Sequence, residues 1–285
     1  MKHILKSMSV ALTILLCLPF GASSQNRHGK QTDVVAHRGY WNCEQAGYSK
    51  NSIAALRCAQ EAGFWGSEFD VNMTSDGVLL VYHDSAIDGK KIEKHPHSAF
   101  KYYRLKNGEP IPTIDQYLEQ GKKYPQTMLV YELKKHSCDE VEDRFVDLTI
   151  EKLRAHGLLD PSRVMFISFS FHMCERLAQK LPGFTVQYLS GDKAPAKVKK
   201  SGISGIDYNH KILAANKNWV SKAKRMGMST NTWTVNKEEQ MKKMLRKGVH
   251  QITTDYPMTA KELIQKGDFK KGKKTKKDKE HDRIE

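Results

Sequence analysis

Short apolar runs alternate with longer amphipathic segments along most of the chain, from about residue 33 to residue 265. The apolar runs predict strands at 34–36, 68–73, 128–133, 164–168, 185–189, 205–207, 230–235 and 251–254. The amphipathic segments predict helices at 52–62, 139–156, 172–180, 216–226, 237–246 and 258–265. Alternating strands and helices favour parallel pairing. Eight such strands predict a single domain at 33–265 with an α/β fold, a (β/α)8 barrel of the TIM type.

The first 24 residues differ from the rest of the chain. A basic start with Lys2 and Lys6 precedes an apolar run at 10–20, and small residues follow at 21–24. This order is typical of a secretory signal peptide, and the apolar run is too short to span a membrane as a helix. We therefore expect residues 1–24 to be removed and the protein to be exported, to a periplasmic or extracellular location.

Part of the net charge of +15 is concentrated at the C-terminal end. Residues 266–285 hold eight lysines and Arg283 against five acids, an excess of +4, and predict a disordered basic tail. Such a tail can contact an anionic membrane or envelope surface weakly, or stay solvated without a partner. The body has no basic motif interleaved with aromatic residues, so we expect no nucleic-acid partner. The oligomeric state stays open.

One predicted strand carries two acids on the same face. Glu68 and Asp70 are two residues apart, and side chains at that spacing in a strand point in the same direction. Like charges this close repel unless a proton or a cation lies between them, and oxygen ligands favour a divalent metal. A turn at 75–77 then returns the chain to His83 and Asp84. Taken alone, the segment fits both a metal-assisted hydrolase site and an ordinary hairpin with two solvated acids.

Polar side chains recur at the carboxyl ends of the predicted strands. In TIM barrels the catalytic groups gather at those ends. The opposite ends carry mostly Gly, Lys and Arg, whereas the carboxyl ends carry His37, Arg38, Glu68, Asp70, Glu132, Lys134, Ser168, Gln187, Asp207, Trp233 and Asp255. We therefore expect the chemistry of this protein at one rim of the barrel.

The first and third strand ends carry groups suited to phosphate chemistry. His37 can exchange a proton, and Arg38 can bind two phosphate oxygens. Glu132 can complete a set of oxygen ligands with the two acids of the second strand, and Lys134 adds a positive charge. Three carboxylates without Cys or His suit Ca²⁺ or Mg²⁺ better than zinc. Each residue alone would more commonly lie on the surface, but together they predict a cavity for a phosphate ester.

A series of motifs runs along the chain from about residue 33 to residue 265. The motifs are His37-Arg38-Gly39, Glu68-x-Asp70, Thr74-x-Asp76-Gly77 with His83-Asp84, Ile111-Pro112-Thr113-Ile114, Glu132-Leu133-Lys134, Asn231-Thr232-Trp233-Thr234-Val235-Asn236 and Thr253-Thr254-Asp255-Tyr256-Pro257. In these motifs and their order the chain resembles the glycerophosphodiester phosphodiesterase family. The resemblance implies a TIM-type barrel that hydrolyses glycerophosphodiesters, which are small-molecule substrates, to glycerol 3-phosphate and an alcohol.

The resemblance also implies roles for individual residues. One divalent cation, Ca²⁺ or Mg²⁺, would be held by Glu68, Asp70 and Glu132. His37 and His83 would form the acid–base pair. The expected substrate-binding residues, to which Gln187 is added from its position at a strand end, are Arg38, Lys134, Gln187 and Trp233. Which histidine is the acid stays open, as does whether water or a neighbouring glycerol hydroxyl attacks the phosphorus.

The chain departs from the family at one motif. Where the family usually has Pro-Glu-Asn-Thr, residues 49–52 read Ser-Lys-Asn-Ser, so that Lys50 reverses the charge of the usual Glu. Glu44 is a candidate for an acid supplied from another position. We expect this change to affect which substrates the protein accepts and not the metal site.

Two further functions stay open. A related phosphodiesterase acting on lysophospholipid or sphingolipid head groups would need apolar loops near the rim, for which the candidates are Tyr40, Trp41, Tyr48, Phe64 and Trp65. A non-catalytic phosphodiester-binding protein would lack a metal ligand or a histidine, and this chain has all of them.

Overall fold

The computed structural model describes residues 31–267 and residue 269. The predicted signal peptide at 1–24 and nearly all of the predicted basic tail lie outside the described residues. Among the described residues, no helix has the length and apolar character needed to cross a membrane.

The described chain alternates strands and helices, as the hydrophobic pattern predicts. The strands are β1 (Asp33–Ala36), β2 (Gly66–Met73), β3 (Leu79–Val81), β4 (Ala86–Ile87), β5 (Lys90–Lys91), β6 (Met128–Leu133), β7 (Val164–Ser168), β8 (Val186–Tyr188), β9 (Gly205–Asn209), β10 (Ser229–Trp233) and β11 (Gln251–Thr254). The helices are α1 (Ile53–Glu61), α2 (Ile114–Lys122), α3 (Asp139–Ala155), α4 (Phe171–Lys180), α5 (Pro195–Lys200), α6 (His210–Ala215), α7 (Trp219–Arg225), α8 (Glu238–Lys247) and α9 (Pro257–Lys266).

Eight parallel strands form a nearly closed barrel, which confirms the predicted TIM-type architecture. Their order is β10-β9-β8-β7-β6-β2-β1-β11. Two backbone hydrogen bonds join the outer strands: His250 N–H donates to Thr230 O at 2.9 Å, and Val235 N–H donates to Thr253 O at 3.0 Å. The predicted hairpin is also present, since β3 pairs antiparallel with β2. Because all eight strands run the same way, their carboxyl ends meet at one rim.

Three helices are present that the hydrophobic pattern does not predict: α2, α5 and α6. α2 begins with a capping box in which Thr113 accepts from the Gln116 backbone N–H and the Gln116 side chain accepts from the Thr113 N–H. α5 and α6 are each six residues long. Helices this short complete fewer than two turns, so their apolar residues establish no 3.6-residue period.

Apolar side chains fill both the space between barrel and helices and part of the barrel interior. Outside the sheet, Phe69, Tyr117 and Tyr131 are fully buried and their rings are in contact. Inside, Val35 and Val130 belong to a smaller cluster with three neighbours, Met165, Ile167 and Leu189. The second cluster lies beneath the carboxyl rim, so it forms an apolar floor for any site there.

Part of the barrel interior is polar. Gln187 Nε2 donates to Ser229 Oγ at 3.1 Å and to Gln251 Oε1 at 3.4 Å. Gly205 leaves room for this layer, because a Cβ at that position would lie 2.1 Å from Ser229 Oγ and 2.7 Å from Gln187 Cγ. Asp207, Asn231 and Thr253 form a second polar layer two residues further along the same strands. The second layer therefore lies nearer the carboxyl rim.

An insertion between β3 and α2 lies across this rim. It has its own small core, which includes Ile87, Ile92 and Phe100. Its Glu109 carboxylate accepts from Ile53 N–H at 2.9 Å and from Ala54 N–H at 3.2 Å. Because α1 follows β1, its first turn is at the carboxyl rim, and the contact fastens the insertion there.

The turn after β1 requires a glycine. Gly39 has φ +79°, and a Cβ there would lie 2.7 Å from the backbone carbonyl carbon of Ala55. Its N–H donates to Glu68 O at 3.0 Å. α1 therefore packs directly against the turn that carries His37 and Arg38, and a side chain at Gly39 would push the two apart.

We predict that Gly39→Ala destabilises the fold more than Gly63→Ala. Both glycines have positive φ, which costs an alanine about 1–2 kcal/mol, but a Cβ at Gly63 meets no atom within 4 Å. The clash with Ala55 should add about 1–3 kcal/mol to the loss. The free energy of unfolding from urea denaturation measures both variants. Equal losses would show that α1 can move away from the turn without cost.

Candidate active site

Three acidic side chains from adjacent strands meet at the carboxyl rim. Glu68 and Asp70 are both on β2, and Glu132 on β6 pairs in register with Asp70. All three residues are buried, and one carboxylate oxygen from each lies within 4.8 Å of the others. Parallel pairing of β2 with β6 thus brings together acids that are more than 60 residues apart in the chain.

Asp70 is surrounded by donors. Lys134 Nζ lies 3.1 Å from Asp70 Oδ1, Asn51 Nδ2 donates to Oδ2 at 2.9 Å, and Arg38 Nε lies 3.4 Å from Oδ2. Burial would raise the pKa of Asp70, but the positive charges of Lys134 and Arg38 outweigh it and lower the pKa to about 2. Asp70 is therefore ionised at neutral pH.

Glu68 and Glu132 are contacted by fewer donors and positive charges than Asp70. Glu68 Oε2 accepts from Arg38 N–H at 2.7 Å, but the buried Oε1 has no hydrogen-bond partner. Burial, followed by the charges of Asp70 and Glu132, raises the pKa of Glu68 well above its usual value. Burial and Asp70 likewise raise the pKa of Glu132 to about 7, although Lys134 Nζ lies 2.7 Å from its Oε1. The protein's own cations do not balance this group of acids.

The backbone at Arg38 adopts an unusual conformation that serves this contact. Arg38 has φ 58°, in the left-handed region that non-glycine residues seldom occupy. In this conformation its N–H points at Glu68 and its guanidinium at Asp70. Strain of this kind is common where a turn must aim groups at a binding site.

His37 is held by a half-buried carboxylate, Asp255, whose side chain is 14% exposed. Its Nδ1 lies 2.8 Å from Asp255 Oδ1, and its Nε2 lies 4.0 Å from Glu68 Oε2. Asp255 also accepts from the Trp41 indole at 2.9 Å and from Asn236 Nδ2 at 2.6 Å. Burial opposes ionisation of Asp255, but these three donors hold its pKa below the usual range. The contact orients the ring so that Nε2 faces the acids.

His83 has a similar but more exposed arrangement. Its Nδ1 lies 2.6 Å from Asp84 Oδ1, and the two side chains are 40% and 68% exposed. The preceding residue, Tyr82, donates its N–H to Asp70 O at 2.9 Å, which brings the end of the hairpin next to the acids. Burial, together with the charges of Lys134 and Arg38, lowers the pKa of His83, while Asp70 and Asp84 act in the opposite direction.

These side chains surround a cavity of about 90 Å³ at the rim. One side of it is polar and charged, and the other carries apolar and hydroxyl-bearing side chains together with Asp207. The lining residues are His37, Arg38, Glu68, His83, Glu132, Lys134, Ile167, Phe169, Leu189, Asp207, Trp233, Thr234 and Thr253. A cationic and acidic wall opposite an apolar wall can bind a charged ester at one end and the carbon skeleton of its alcohol at the other.

Comparison with known proteins agrees with this geometry. The model of the glycerophosphoryl diester phosphodiesterase family matches residues 37–259, which is most of the chain. The chain belongs to that family. Membership makes it a hydrolase of glycerophosphodiesters and confirms the resemblance seen in the sequence.

Individual relatives align over nearly their whole length. A glycerophosphodiester phosphodiesterase of Caldanaerobacter subterraneus subsp. tengcongensis is 27% identical over 256 residues, which cover 83% of this chain and 99% of the relative. The crystal structure of a glycerophosphodiester phosphodiesterase from Parabacteroides distasonis is 38% identical, with a TM-score of 0.81 over 84% of this chain and 100% of that one. An Oleispira antarctica phosphodiesterase, solved with the product sn-glycerol-3-phosphate, is 22% identical with a TM-score of 0.69 over 82% of this chain and 97% of that chain, and supports the fold.

The cavity brings together most of the residues for which the sequence predicts a role. Seven of these nine residues line it, and Asp70 lies beside it in the acidic cluster. Gln187 is not among the lining residues. Its side chain is fully buried in the polar layer nearer the amino ends of the strands, and Leu189, two residues further along, lines the cavity instead. A strand-end position in the sequence does not show how deep in the barrel a side chain lies.

Several residues that shape the site received no role from the sequence. Asp255 holds His37 and is itself held by Asn236, Asp84 holds His83, and Asn51 holds Asp70. The signal was present, because these four residues lie in or beside the family motifs. Their function could not be assigned without knowing which side chains face each other.

The departure from the family at Lys50 has a local explanation. Lys50 Nζ lies 4.4 Å from the centroid of the Trp41 ring, in cation–π geometry. Glu44 is exposed at the start of a short 3-10 helix, Glu44–Ala46, whose Ala46 packs against α1. Among the described residues, no hydrogen bond joins the Glu44 carboxylate to α1, so the structure does not support it as the replacement acid. The acid that reaches the start of α1 is Glu109 from the insertion.

We predict that Asp255→Asn lowers kcat strongly and changes KM little. An amide can present either its oxygen or its NH2 group to His37 Nδ1, so the ring loses its defined orientation and tautomer. In a serine protease the equivalent change costs about 10⁴-fold in kcat, and we expect a loss of roughly 10²–10⁴-fold here. Steady-state kinetics on glycerophosphocholine measures it.

Asp84→Asn provides the matched control. It alters the same kind of histidine–carboxylate pair at an exposed position, where water can replace the lost contact. Its effect on kcat should stay below about tenfold. If both variants lost the same activity, burial of Asp255 would not be what makes it important.

Proposed function

We propose that this phosphodiesterase requires a divalent cation, Ca²⁺ or Mg²⁺, held by Glu68, Asp70 and Glu132. The observation that carries the proposal is the buried Oε1 of Glu68, which has no hydrogen-bond partner although three acids surround the same space. Two cations, Lys134 and Arg38, face three carboxylates. Repulsion raises the pKa of Glu68 and Glu132, and a divalent ion relieves such repulsion without protonating the acids.

The spacing of the carboxylates fits one ion. Ca²⁺ binds oxygen at 2.3–2.6 Å, so two ligands of the same ion lie at most about 5 Å apart. The carboxylate oxygens lie within 4.8 Å of one another, which meets this limit. Mg²⁺ binds at 2.0–2.1 Å and would require the oxygens to approach to about 4.2 Å or less. Because 4.8 Å is an upper bound on these separations, the spacing is compatible with either ion.

Side chains of the protein would bind the phosphate and transfer the protons of the reaction. A bound divalent ion would supply Lewis-acid polarisation of the phosphate. Arg38 and Lys134 would hold the phosphate oxygens and stabilise the negative charge that grows in the transition state. One of His37 and His83 would take a proton from the attacking group, either water or the neighbouring glycerol hydroxyl, and the other would protonate the departing alcohol oxygen. Attack by the hydroxyl would give a cyclic phosphate, which water would then open to glycerol 3-phosphate. Both rings have Nδ1 tied to a carboxylate, which directs Nε2 toward the reaction.

We infer that the substrates are glycerophosphodiesters, cleaved to glycerol 3-phosphate and an alcohol. The product complex of the Oleispira antarctica relative supports this. The small cavity favours a polar head over an acyl chain. The aromatic residues considered for lipid binding mostly have other contacts: Tyr40 packs edge-to-face on Phe64, Trp41 donates to Asp255, and Trp65 packs against the barrel core. Tyr48 alone of these five is exposed.

Export to a periplasmic or extracellular location stays a prediction from residues 1–24. The same holds for contact of the basic tail with an anionic surface.

We predict that a chelator abolishes hydrolysis of glycerophosphocholine and that Ca²⁺ or Mg²⁺ restores it. The restoring ion should also stabilise the protein, by about 2.7 kcal/mol at 100 times its Kd. Glu132→Gln should weaken ion binding in calorimetry. Glu142→Gln is the matched control, because Glu142 is equally buried but accepts from His136 and Ser170 outside the cavity. Full activity in chelator would contradict the proposal.

We predict that His37→Ala and His83→Ala each lower kcat by roughly 10²–10⁴-fold, the usual contribution of a general acid or base. Both variants should still bind the ion, because neither imidazole belongs to the carboxylate cluster. Kinetics with calorimetry of Ca²⁺ binding separates the two effects. Retained turnover in either variant would remove that histidine from the proposed acid–base pair.

A further inference from the structure

Asp207 is a buried acid in the cavity that the proposed reaction does not use. The residue is 1% exposed and lines the cavity from β9, on the side away from β2 and β6. Its Oδ1 is buried and has no hydrogen-bond partner among the described residues. Buried carboxylate oxygens in native proteins nearly always have a partner, so an unpartnered one on a residue that lines a cavity points to a ligand.

The other carboxylate oxygen is held rigidly. Asn231 Nδ2 donates to Asp207 Oδ2 at 3.1 Å and to Thr253 Oγ1 at 2.9 Å. The amide oxygen of Asn231 is also occupied, since it accepts from Thr232 N–H at 2.7 Å and from the Thr253 hydroxyl at 3.2 Å. The side chains of Asn231 and Thr253 in this layer thus already have hydrogen-bond partners. They hold the Asp207 carboxyl group by Oδ2 and leave Oδ1 without a partner among the described residues.

Trp233 connects this acid to the cavity wall. Its indole N–H donates to the backbone O of Asp207 at 2.9 Å, and its ring packs edge-to-face on Phe169 with centroids 5.4 Å apart. Both rings line the cavity. A group bound at Oδ1 would therefore have a polar contact on one side and aromatic surface beside it. Alcohol carbons carrying a hydroxyl match these surroundings.

The phosphate itself is a poor match for this position. An ionised carboxylate in a buried, weakly screened site repels a phosphate anion, and Arg38 and Lys134, which lie near β1 and β6, are the proposed phosphate-binding residues. A hydroxyl can both donate and accept, so it can pair with Oδ1 whether or not the acid carries a proton. Burial and the charge of Glu132 raise the pKa of Asp207 well above its usual value, which favours the protonated form. A hydroxyl can still pair with that form because it can accept as well as donate a hydrogen bond.

We propose that Asp207, positioned by Asn231 and Thr253, is a specificity residue that binds a hydroxyl of the substrate's glycerol moiety. The inference rests on the proposed function, because it assigns a further part of the same substrate. It explains how the site would distinguish a glycerol ester from a phosphodiester whose alcohol has no free hydroxyl. Sites built to pair with a hydroxyl reject analogues without one, since the buried polar group is then left unpaired.

The test compares two monoesters that differ in their hydroxyls. Glycerol 3-phosphate and ethyl phosphate are titrated into the Ca²⁺-loaded protein, and calorimetry gives both Kd values. The wild-type protein should bind glycerol 3-phosphate more tightly by about 10- to 100-fold. Asp207→Ala should reduce this preference to within about threefold, chiefly by weakening glycerol 3-phosphate. Asp207→Asn, which keeps the shape and presents an NH2 group to the cavity, should retain part of the preference.

Controls separate recognition from damage to the fold. Glu142→Gln, which removes a comparably buried acid outside the cavity, should leave the preference unchanged. If Asp207→Ala does not fold, Asp207→Asn decides, and an unchanged preference would overturn the proposal. Equal weakening of both ligands would also overturn it, as would a lower melting temperature with unchanged affinities, because Asp207 would then be purely structural. Wild-type protein that fails to hydrolyse glycerophosphocholine would instead count against the proposed function.

Discussion

Electrostatic repulsion among three buried carboxylates is the constraint on which this site depends. Glu68, Asp70 and Glu132 are held together because β2 and β6 pair in parallel and in register, so the strands cannot separate their acids without breaking the barrel. Within the described chain, Lys134 and Arg38 are the cations that contact the cluster. Repulsion among the three carboxylates therefore destabilises the barrel locally at its rim. Local destabilisation of this kind is typical of binding sites that a ligand stabilises.

The rest of the rim is organised around that cluster. The turn after β1 takes a left-handed backbone at Arg38 so that one residue contacts two of the acids, and Gly39 allows α1 to pack against the turn. The hairpin β2–β3 returns His83 to the same place, and Asp255 from the far end of the chain orients His37. Opposite the cations, the cavity wall changes to aromatic side chains and to Asp207. In the proposed function, the charged wall contacts the phosphate ester, and the opposite wall contacts the carbons and hydroxyls of the alcohol.

Prediction from the sequence was most accurate where the signal was local. The strands at 128–133, 164–168 and 251–254 have the predicted bounds, because continuous apolar runs identify buried parallel strands well. The i, i+2 spacing placed Glu68 and Asp70 on one face for the same local reason. The insertion between β3 and α2 and the short helices α5 and α6 were not predicted, since their packing depends on contacts with distant segments.

The sequence by itself determined the barrel, the family and the identity of most charged groups that line the rim cavity, because these follow from the period of the apolar residues and from motifs whose members are close in the chain. Tertiary structure alone decided how deep each side chain lies and which partner it meets. The sequence assigned both Gln187 and Asp207 to the carboxyl rim, yet Gln187 pairs within the barrel interior, whereas Asp207 lines the cavity and has one oxygen without a partner among the described residues. The difference arises from the register between neighbouring strands, which no single strand's sequence encodes.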